Sequence, residues 1–164
     1  MIDLLILSKK NMGKAYAMNN LFITAMQMYN VSGQDVLISM DSDISIMDRS
    51  FPSQVRSIFA EPGVKYLGYT YFSDYEMKTK SNYNCYKNTK VEIIDGRHYD
   101  VLENQHGLGG GILAMPASRF SAVNGYNQLL GPKGTPAIYG GDDAVLLRDL
   151  FLAFPNEKAL CCTE

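Results

Sequence analysis

The chain has 164 residues, of which 46% are apolar and 20% charged, so it is long enough for one hydrophobic core; no shift in composition marks a second domain. Fifteen basic and seventeen acidic residues give a net charge of -2, which argues against the basic surface that binds nucleic acid or anionic membranes. The three cysteines, Cys85, Cys161 and Cys162, lack the spacing of a metal site or a redox motif, so we expect free thiols in a reducing compartment.

The first predicted element is a buried strand at residues 4–7. Its apolar residues precede the basic pair Lys9-Lys10, which is the reverse of a secretory signal, and no apolar run approaches membrane-spanning length. If Met1 is the natural start, we expect the protein to be soluble in the cytoplasm.

A helix is predicted to follow Gly13, because five apolar residues fall at helical spacing on one face: Met18, Leu21, Phe22, Ala25 and Tyr29. Asn30 and Gly33 end this pattern before a strand at residues 35–40. A right-handed crossover would place that strand parallel to the first, as in a nucleotide-binding half-sheet.

Two carboxylates, Asp41 and Asp43, follow the apolar run 36–38 directly. Such a run is typical of a strand buried on both faces of a parallel sheet, and ligands of α/β proteins dock at the carboxyl ends of these strands. Carboxylates in that position suit a divalent cation and therefore a metal-bound diphosphate. The alternative is that these short side chains cap a loop.

The middle of the chain is predicted to contain a helix opened by Ser50 and Pro52 and ending near Ala60, then a strand at 64–72. Residues 73–90 are polar and rich in tyrosine with no sustained period, which indicates an exposed loop or an irregular hairpin.

The last third is predicted to contain a glycine-led strand at 109–115 and a short helix at 116–123 with Gly125 as its left-handed stop. A helix at 142–153 and an edge strand at 158–162 complete an α/β domain spanning residues 1–164. Arg148 is expected to form a structural ion pair, since it could reach neighbours of Asp149 or a loop carbonyl.

An ordered series of motifs runs through this last third. It comprises Gly110-Gly111, an apolar strand, Arg119, Asn124-Gly125-Tyr126 and Tyr139-Gly140-Gly141-Asp142-Asp143 with Arg148. The series resembles the carboxyl-terminal half of the inverting GT-A glycosyltransferases, especially the galactosyltransferase and N-acetylgalactosaminyltransferase branch. Upstream, residues 13–19 are similar to the helix that precedes the DxD strand in that family.

The resemblance implies a GT-A (Rossmann-like) fold, with a mixed but mainly parallel sheet flanked by helices. It also implies transfer of a hexose of the galactose, N-acetylgalactosamine or glucose type from a UDP-sugar to the hydroxyl of a glycan, lipid or protein acceptor, with inversion. Mn²⁺ or Mg²⁺ would stabilise the diphosphate leaving group as a Lewis acid.

The same resemblance assigns donor-site roles. Asp43 is the direct metal ligand, and Asp41 contacts the ribose or the metal through water. Lys14 approaches the nucleotide, and Asn19 occupies a donor-site position. Gly110 and Gly111 would let backbone approach the donor sugar, or would simply form a tight strand entry.

The acceptor side is assigned in the same way. Asp143 is the general base, and Asp142 replaces the family's glutamate that fixes acceptor hydroxyls. Tyr139 stands in the family's tryptophan position and would stack on a sugar. Both aspartates begin a helix, where the macrodipole favours their anionic form; capping of that helix is the alternative.

The chain departs from the family at its front, because the strand and helix that carry uracil-binding residues are not recognisable. Either the sequence belongs to a longer enzyme, or a partner supplies that wall, or this is a reduced member. His106 is a poor substitute for the family's further histidine metal ligand. A noncatalytic nucleotide-sugar or glycan-binding module is the main alternative. A metal-dependent nucleotidyltransferase ranks last, because it leaves the motif series unexplained.

Overall fold

The computed structural model describes residues 12–72, 74, 76, 78, 79, 88–103, 111–127 and 142–163. In these residues the chain forms an α/β domain with one six-stranded mixed sheet and four helices. In chain order the elements are α1 (Lys14–Met28), β1 (Val36–Met40), α2 (Phe51–Ala60), β2 (Val64–Tyr69), β3 (Asn88–Ile94), β4 (Arg97–Leu102), β5 (Ile112–Pro116), α3 (Ala117–Ala122), α4 (Asp142–Ala153) and β6 (Lys158–Cys162).

The sheet has the strand order β1-β5-β2-β6-β4-β3 and is mostly antiparallel. The prediction of a mainly parallel sheet is therefore wrong for the described strands. The reason is that β5 returns between β1 and β2 and pairs antiparallel with both, and β4 pairs antiparallel with β6. Only β2 and β6 pair in parallel among the described strands. Because β1, β2 and β6 still share one direction, their carboxyl ends lie at the same edge of the sheet.

The sheet separates two hydrophobic clusters. On one face, α1, α3 and α4 bury side chains such as Phe22, Phe120 and Leu147 against the sheet. On the other face, α2 buries Val55 and Ile58. Each such buried side chain stabilises the fold by about 1.5–3 kcal/mol, so both faces contribute to holding the functional edge in place.

The predicted helices are confirmed. The helix after Gly13 is α1, although its buried residues are Ala15, Asn19 and Phe22, while Tyr29 is exposed. Both α2 and α4 occupy the predicted segments, and Gly125 has the left-handed φ of 70° that was expected after α3.

Two strand predictions need correction. The strand before Asp41 was predicted to be buried on both faces, but β1 alternates: Leu37 and Ser39 are buried, whereas Ile38 and Met40 are exposed. The strand at 158–162 was predicted to lie at an edge, but β6 lies between β2 and β4 and is buried from Ala159 onward.

A hairpin formed by β3 and β4 was not predicted. Its two-residue turn, Asp95-Gly96, has positive φ at both positions, 51° and 77°, as a type I′ turn requires. Residues 88–90, predicted as the end of an exposed loop or irregular hairpin, belong to β3. The Asp-Gly pair, directly after the β-branched run at 91–94, was the signal that could have revealed this hairpin.

Several predictions fall outside the described residues: the strand at 4–7, His106 and most of the tyrosine-rich segment. None of the four described helices has the length and apolar character needed to cross a membrane.

Candidate functional site

The predicted site residues Asp41 and Asp143 are brought together by Lys14. The Lys14 Nζ atom lies 2.9 Å from Asp41 Oδ1 and 3.0 Å from Asp143 Oδ2. These residues come from three elements: Lys14 is the first residue of α1, Asp41 follows β1, and Asp143 is the second residue of α4. The fold thus joins the start of the described chain, the DxD sequence and the Asp-Asp helix start in one cluster.

The backbone fixes Asp41 at this edge of the sheet. Its amide N–H donates to the carbonyl of Gly111, 2.9 Å away, which extends the pairing between β1 and β5 by one step. The Asp41 carbonyl in turn accepts a hydrogen bond from the amide of Ile44 at 3.2 Å, so the DxD segment forms a turn. The two halves of the motif series therefore meet through backbone as well as side chains.

The charges of the cluster favour the ionised form of Lys14. Partial burial acts to lower the pKa of Lys14, but the nearby carboxylates, Asp143 first and then Asp41, outweigh that effect and raise the pKa above its usual value. The ammonium therefore stays protonated at neutral pH. All three side chains remain partly accessible, with exposed fractions of 29% for Lys14, 42% for Asp41 and 20% for Asp143, so a ligand can reach them.

Gly111 lies under a close-packed part of the same edge. A Cβ atom at this position would come within 3.3 Å of Ile44 Cδ1 and 3.4 Å of the Tyr71 ring. Glycine therefore lets the segment after the DxD sequence and the residues after β2 close over the start of β5. A contact between Gly111 and a donor sugar stays a prediction.

Asn19 has a structural role in the described residues. Its side chain is 5% exposed, its amide nitrogen donates to the carbonyl of Tyr126 at 2.8 Å, and its Oδ1 accepts from the Tyr126 amide at 2.8 Å. The two bonds tie α1 to the segment after α3. Its predicted donor contact has no support from this geometry and stays a prediction.

Asp43 lines a cavity of about 590 Å³ between the start of α2, the end of β2 and the start of β4. The cavity also contains Gln54, Tyr69 and Arg97, none of which was singled out from the sequence. Recognition of the Asp95-Gly96 turn would have placed Arg97 at a strand start, but Gln54 offers no local signal.

The carboxylates of Asp41 and Asp43 have the chemistry of a Mg²⁺ or Mn²⁺ site. Within the described residues, however, no group of three histidine, cysteine, aspartate or glutamate side chains is placed to hold a metal ion. Two carboxylates fit a hard divalent cation that completes its coordination with substrate phosphates and water, rather than a preformed all-protein metal centre.

Other predicted site residues lie beyond this geometry. Gly110 and Tyr139 are outside the described residues, and Asp142 is described only as part of the α4 backbone. Arg148 forms an ion pair, as predicted, but its partner is Asp149 itself, with 2.7 Å between Nη2 and Oδ1.

The chain was compared with protein-family models, curated proteins and solved structures, and none of the three comparisons gave a match. The function must therefore be argued from the cluster of Lys14, Asp41 and Asp143 and from its surroundings.

Proposed function

We propose that the protein is a metal-dependent inverting glycosyltransferase that moves a hexose from a UDP-sugar to an acceptor hydroxyl. The observation that carries this proposal is the position of Lys14, which contacts Asp41 of the DxD sequence and Asp143 of the Asp-Asp helix start. Inverting transfer needs a donor-binding carboxylate and a base at one site, and these two residues lie far apart in sequence. Their convergence also supports a GT-A-like arrangement of the domain, although its sheet is mostly antiparallel.

In this proposal Asp143 acts as the general base. It removes the proton from the acceptor hydroxyl as the acceptor oxygen attacks the anomeric carbon. The bond from that carbon to the phosphate oxygen breaks on the opposite face, and UDP leaves. Asp142 would hold the acceptor, as the family resemblance implies.

Lys14 has two roles in the same proposal. Its ammonium contacts Asp143 Oδ2 at 3.0 Å and orients the carboxylate that would accept the proton. It also places a positive charge at the edge where the diphosphate would lie. Asp43 and Asp41 would hold Mn²⁺ or Mg²⁺, which supplies Lewis-acid stabilisation of the diphosphate leaving group when bound.

A noncatalytic nucleotide-sugar or glycan-binding module is the second candidate. The observation in its favour is the 3.0 Å ion pair itself, because an Asp143 oxygen engaged by Lys14 is not free to take a proton until that pair rearranges. The two candidates differ in turnover and not in ligand binding.

The deciding experiment measures UDP release in the presence of Mn²⁺ and a panel of UDP-sugars, with and without acceptor glycosides. Asp143→Asn keeps the size of the side chain but removes the base, so activity should fall by roughly 100-fold or more. Asp149→Asn is the matched control, because it removes one carboxylate from the same helix at a residue that pairs with Arg148 instead.

Asp149→Asn should retain activity within about twofold, as expected for an exposed ion pair. Equal turnover by Asp143→Asn and the parent protein would reject Asp143 as base. Donor-dependent thermal stabilisation without turnover in the parent protein would favour the binding module.

A further inference from the structure

The cavity beside Asp43 is separate from the Lys14 cluster. It lies on the α2 side of the sheet, while Lys14 and Asp143 belong to helices on the opposite side. Its volume of about 590 Å³ is ample for a small ligand. Since its walls include the DxD residue Asp43, a molecule bound here would lie beside the DxD segment.

The interior of the cavity is lined by neutral polar groups and aromatic rings. Gln54 is 7% exposed and accepts a hydrogen bond from the Tyr69 hydroxyl at 3.3 Å. Burial raises the pKa of Tyr69, so the phenol keeps the proton that it donates to Gln54. Phe51 packs on Tyr69 with ring centroids 5.3 Å apart, and Tyr71 adds a further ring to the lining.

The charged groups of the cavity disfavour anionic ligands. Among the described residues that line it, three are acidic, Asp43, Asp48 and Asp74, and Arg97 is the one basic residue. The Arg97 Nη2 atom already lies 2.8 Å from Asp48 Oδ2 and 2.6 Å from the Ser50 hydroxyl. A phosphate or carboxylate group would have to compete with Asp48 for that guanidinium while facing two further carboxylates.

We infer that this cavity binds an uncharged pyranose ring, and that it excludes sugars that carry a carboxylate, phosphate or sulfate on C6. Hydroxyl groups of such a ring can donate to the aspartates, and its C–H faces can lie on the electron-rich faces of the aromatic rings. The inference rests on the proposed glycosyltransferase function, in which either the acceptor sugar or the transferred hexose would supply the ring.

The test uses a matched pair of glycosides. Methyl β-glucoside and methyl β-glucuronide differ only at C6, which is a hydroxymethyl group in one and a carboxylate in the other. Binding is followed by NMR on protein with ¹³C-labelled isoleucine methyl groups. Ile44, Ile46 and Ile112 line the cavity, whereas Ile23 and Ile93 lie on α1 and β3 and serve as references.

The glucoside should shift the three cavity methyl signals saturably and leave the reference signals in place. Methyl β-galactoside and methyl β-N-acetylglucosaminide are titrated too, since the ring's stereochemistry is open. The glucuronide should bind at least about tenfold more weakly than the best neutral glycoside, a difference of roughly 1.4 kcal/mol.

Asp48→Asn provides the charge test, because it releases Arg97 from its ion pair. The glucuronide should then bind at least about tenfold more tightly than to the parent protein, while binding of the neutral glycoside changes by less than about twofold. Asp149→Asn removes the same charge from α4, outside the cavity lining, and should leave the preference unchanged.

A second arm separates the two sources of the ring. If UDP-glucose with Mn²⁺ shifts the same cavity methyl groups and displaces the glycoside, the ring is the donor's hexose. If the glycoside still binds in their presence, the ring belongs to the acceptor. Both results support the inference.

The inference is overturned if none of the three neutral glycosides shifts the cavity methyl groups, or if the glucuronide binds the parent protein as tightly as they do. These titrations need no turnover. Absence of UDP release would therefore reject the proposed function without deciding the cavity's specificity. Absence of glycoside binding would reject the inference about the cavity without deciding the proposed function.

Discussion

At the scale of single residues, the Lys14 ammonium offsets the repulsion between the carboxylates of Asp41 and Asp143, which a bound cation would otherwise have to offset. Two carboxylates at one sheet edge repel each other, and an ammonium between them replaces that repulsion with two charge-assisted contacts of 2.9 and 3.0 Å. The cluster still carries one excess negative charge, so it retains an attraction for a divalent cation. Lys14 thus holds the site in shape before any ligand arrives.

A second lysine, Lys65, allows a prediction about pH. Its side chain is 1% exposed, with Nζ 3.1 Å from the Phe154 carbonyl oxygen and 3.7 Å from the centroid of the Phe151 ring. Burial disfavours the charged form more than Glu157 favours it, and the pKa of Lys65 falls from 10.5 to about 8. Between these two values the unfolded chain binds more protons than the folded one, so the contribution of Lys65 to the free energy of unfolding rises with pH.

We therefore expect the parent protein to gain stability relative to Lys65→Met between pH 7 and pH 9.5, by on the order of 1 kcal/mol. Urea unfolding of both proteins at the two pH values measures this. Lys90→Met, at an exposed position on β3, is the control and should show no comparable change. A difference between the parent protein and Lys65→Met that stays constant or shrinks as the pH rises would contradict the expectation.

At the scale of elements, the end of α3 depends on Gly125. Its φ is +70°, and a Cβ atom there would lie 2.5 Å from Asn19 Oδ1 and 2.7 Å from Phe120 Cζ. Gly125→Ala should therefore lower the free energy of unfolding by about 3 kcal/mol or more, because backbone strain adds to a clash with two buried side chains.

Gly63→Ala separates these two causes. Gly63 also has a positive φ, +74°, but nothing lies within 4 Å of the position that a Cβ would occupy. Its substitution should cost about 1 kcal/mol from backbone strain alone. Chemical denaturation of both variants tests the comparison, and equal losses would show that packing against Asn19 and Phe120 does not matter.

The helices were predictable because their signals are local. In α4 the apolar residues Leu146, Leu147 and Leu150 recur at helical spacing, and Pro155 follows its end, so both bounds could be read from the sequence. The antiparallel pairing of β5 could not be predicted, because the sequence of a five-residue apolar strand does not depend on whether its neighbours run parallel or antiparallel to it. The position of β6 inside the sheet escaped prediction for the same reason, because it depends on β4, which lies some 60 residues earlier in the chain.

The candidate site, like the fold, could be predicted from the sequence only in part. The order of the motifs predicted that Asp41 and Asp143 would share a site, and the structure brings them to one ammonium group. The sequence assigned Lys14 to the nucleotide and did not reveal that it bridges the two carboxylates. The cavity was not predictable either, because Gln54 and Tyr69 belong to separate elements whose packing is set by the whole α2 face.

At the scale of the whole molecule, the Lys14 cluster joins α1 to α4, and these helices pack on the same face of the sheet in one hydrophobic cluster. A ligand that binds at this edge therefore contacts elements from both ends of the described chain. Since such a ligand binds only when those elements are assembled, it stabilises the complete domain and not a single loop.

This geometry leads to a prediction for thermal unfolding. UDP together with Mn²⁺, each well above its dissociation constant, should raise the melting temperature by roughly 5–10 °C, as expected from about 2.7 kcal/mol of stabilisation at 100-fold saturation and about 2–4 °C per kcal/mol for a domain of this size.

Removing the metal with EDTA should abolish most of the shift. Asp43→Asn should do the same in the presence of Mn²⁺, because it removes a carboxylate that is proposed to hold the metal. Asp74→Asn neutralises another acidic residue of the neighbouring cavity and should preserve the shift. A shift of equal size with EDTA, or in Asp43→Asn, would show that the nucleotide binds without a metal at the DxD sequence.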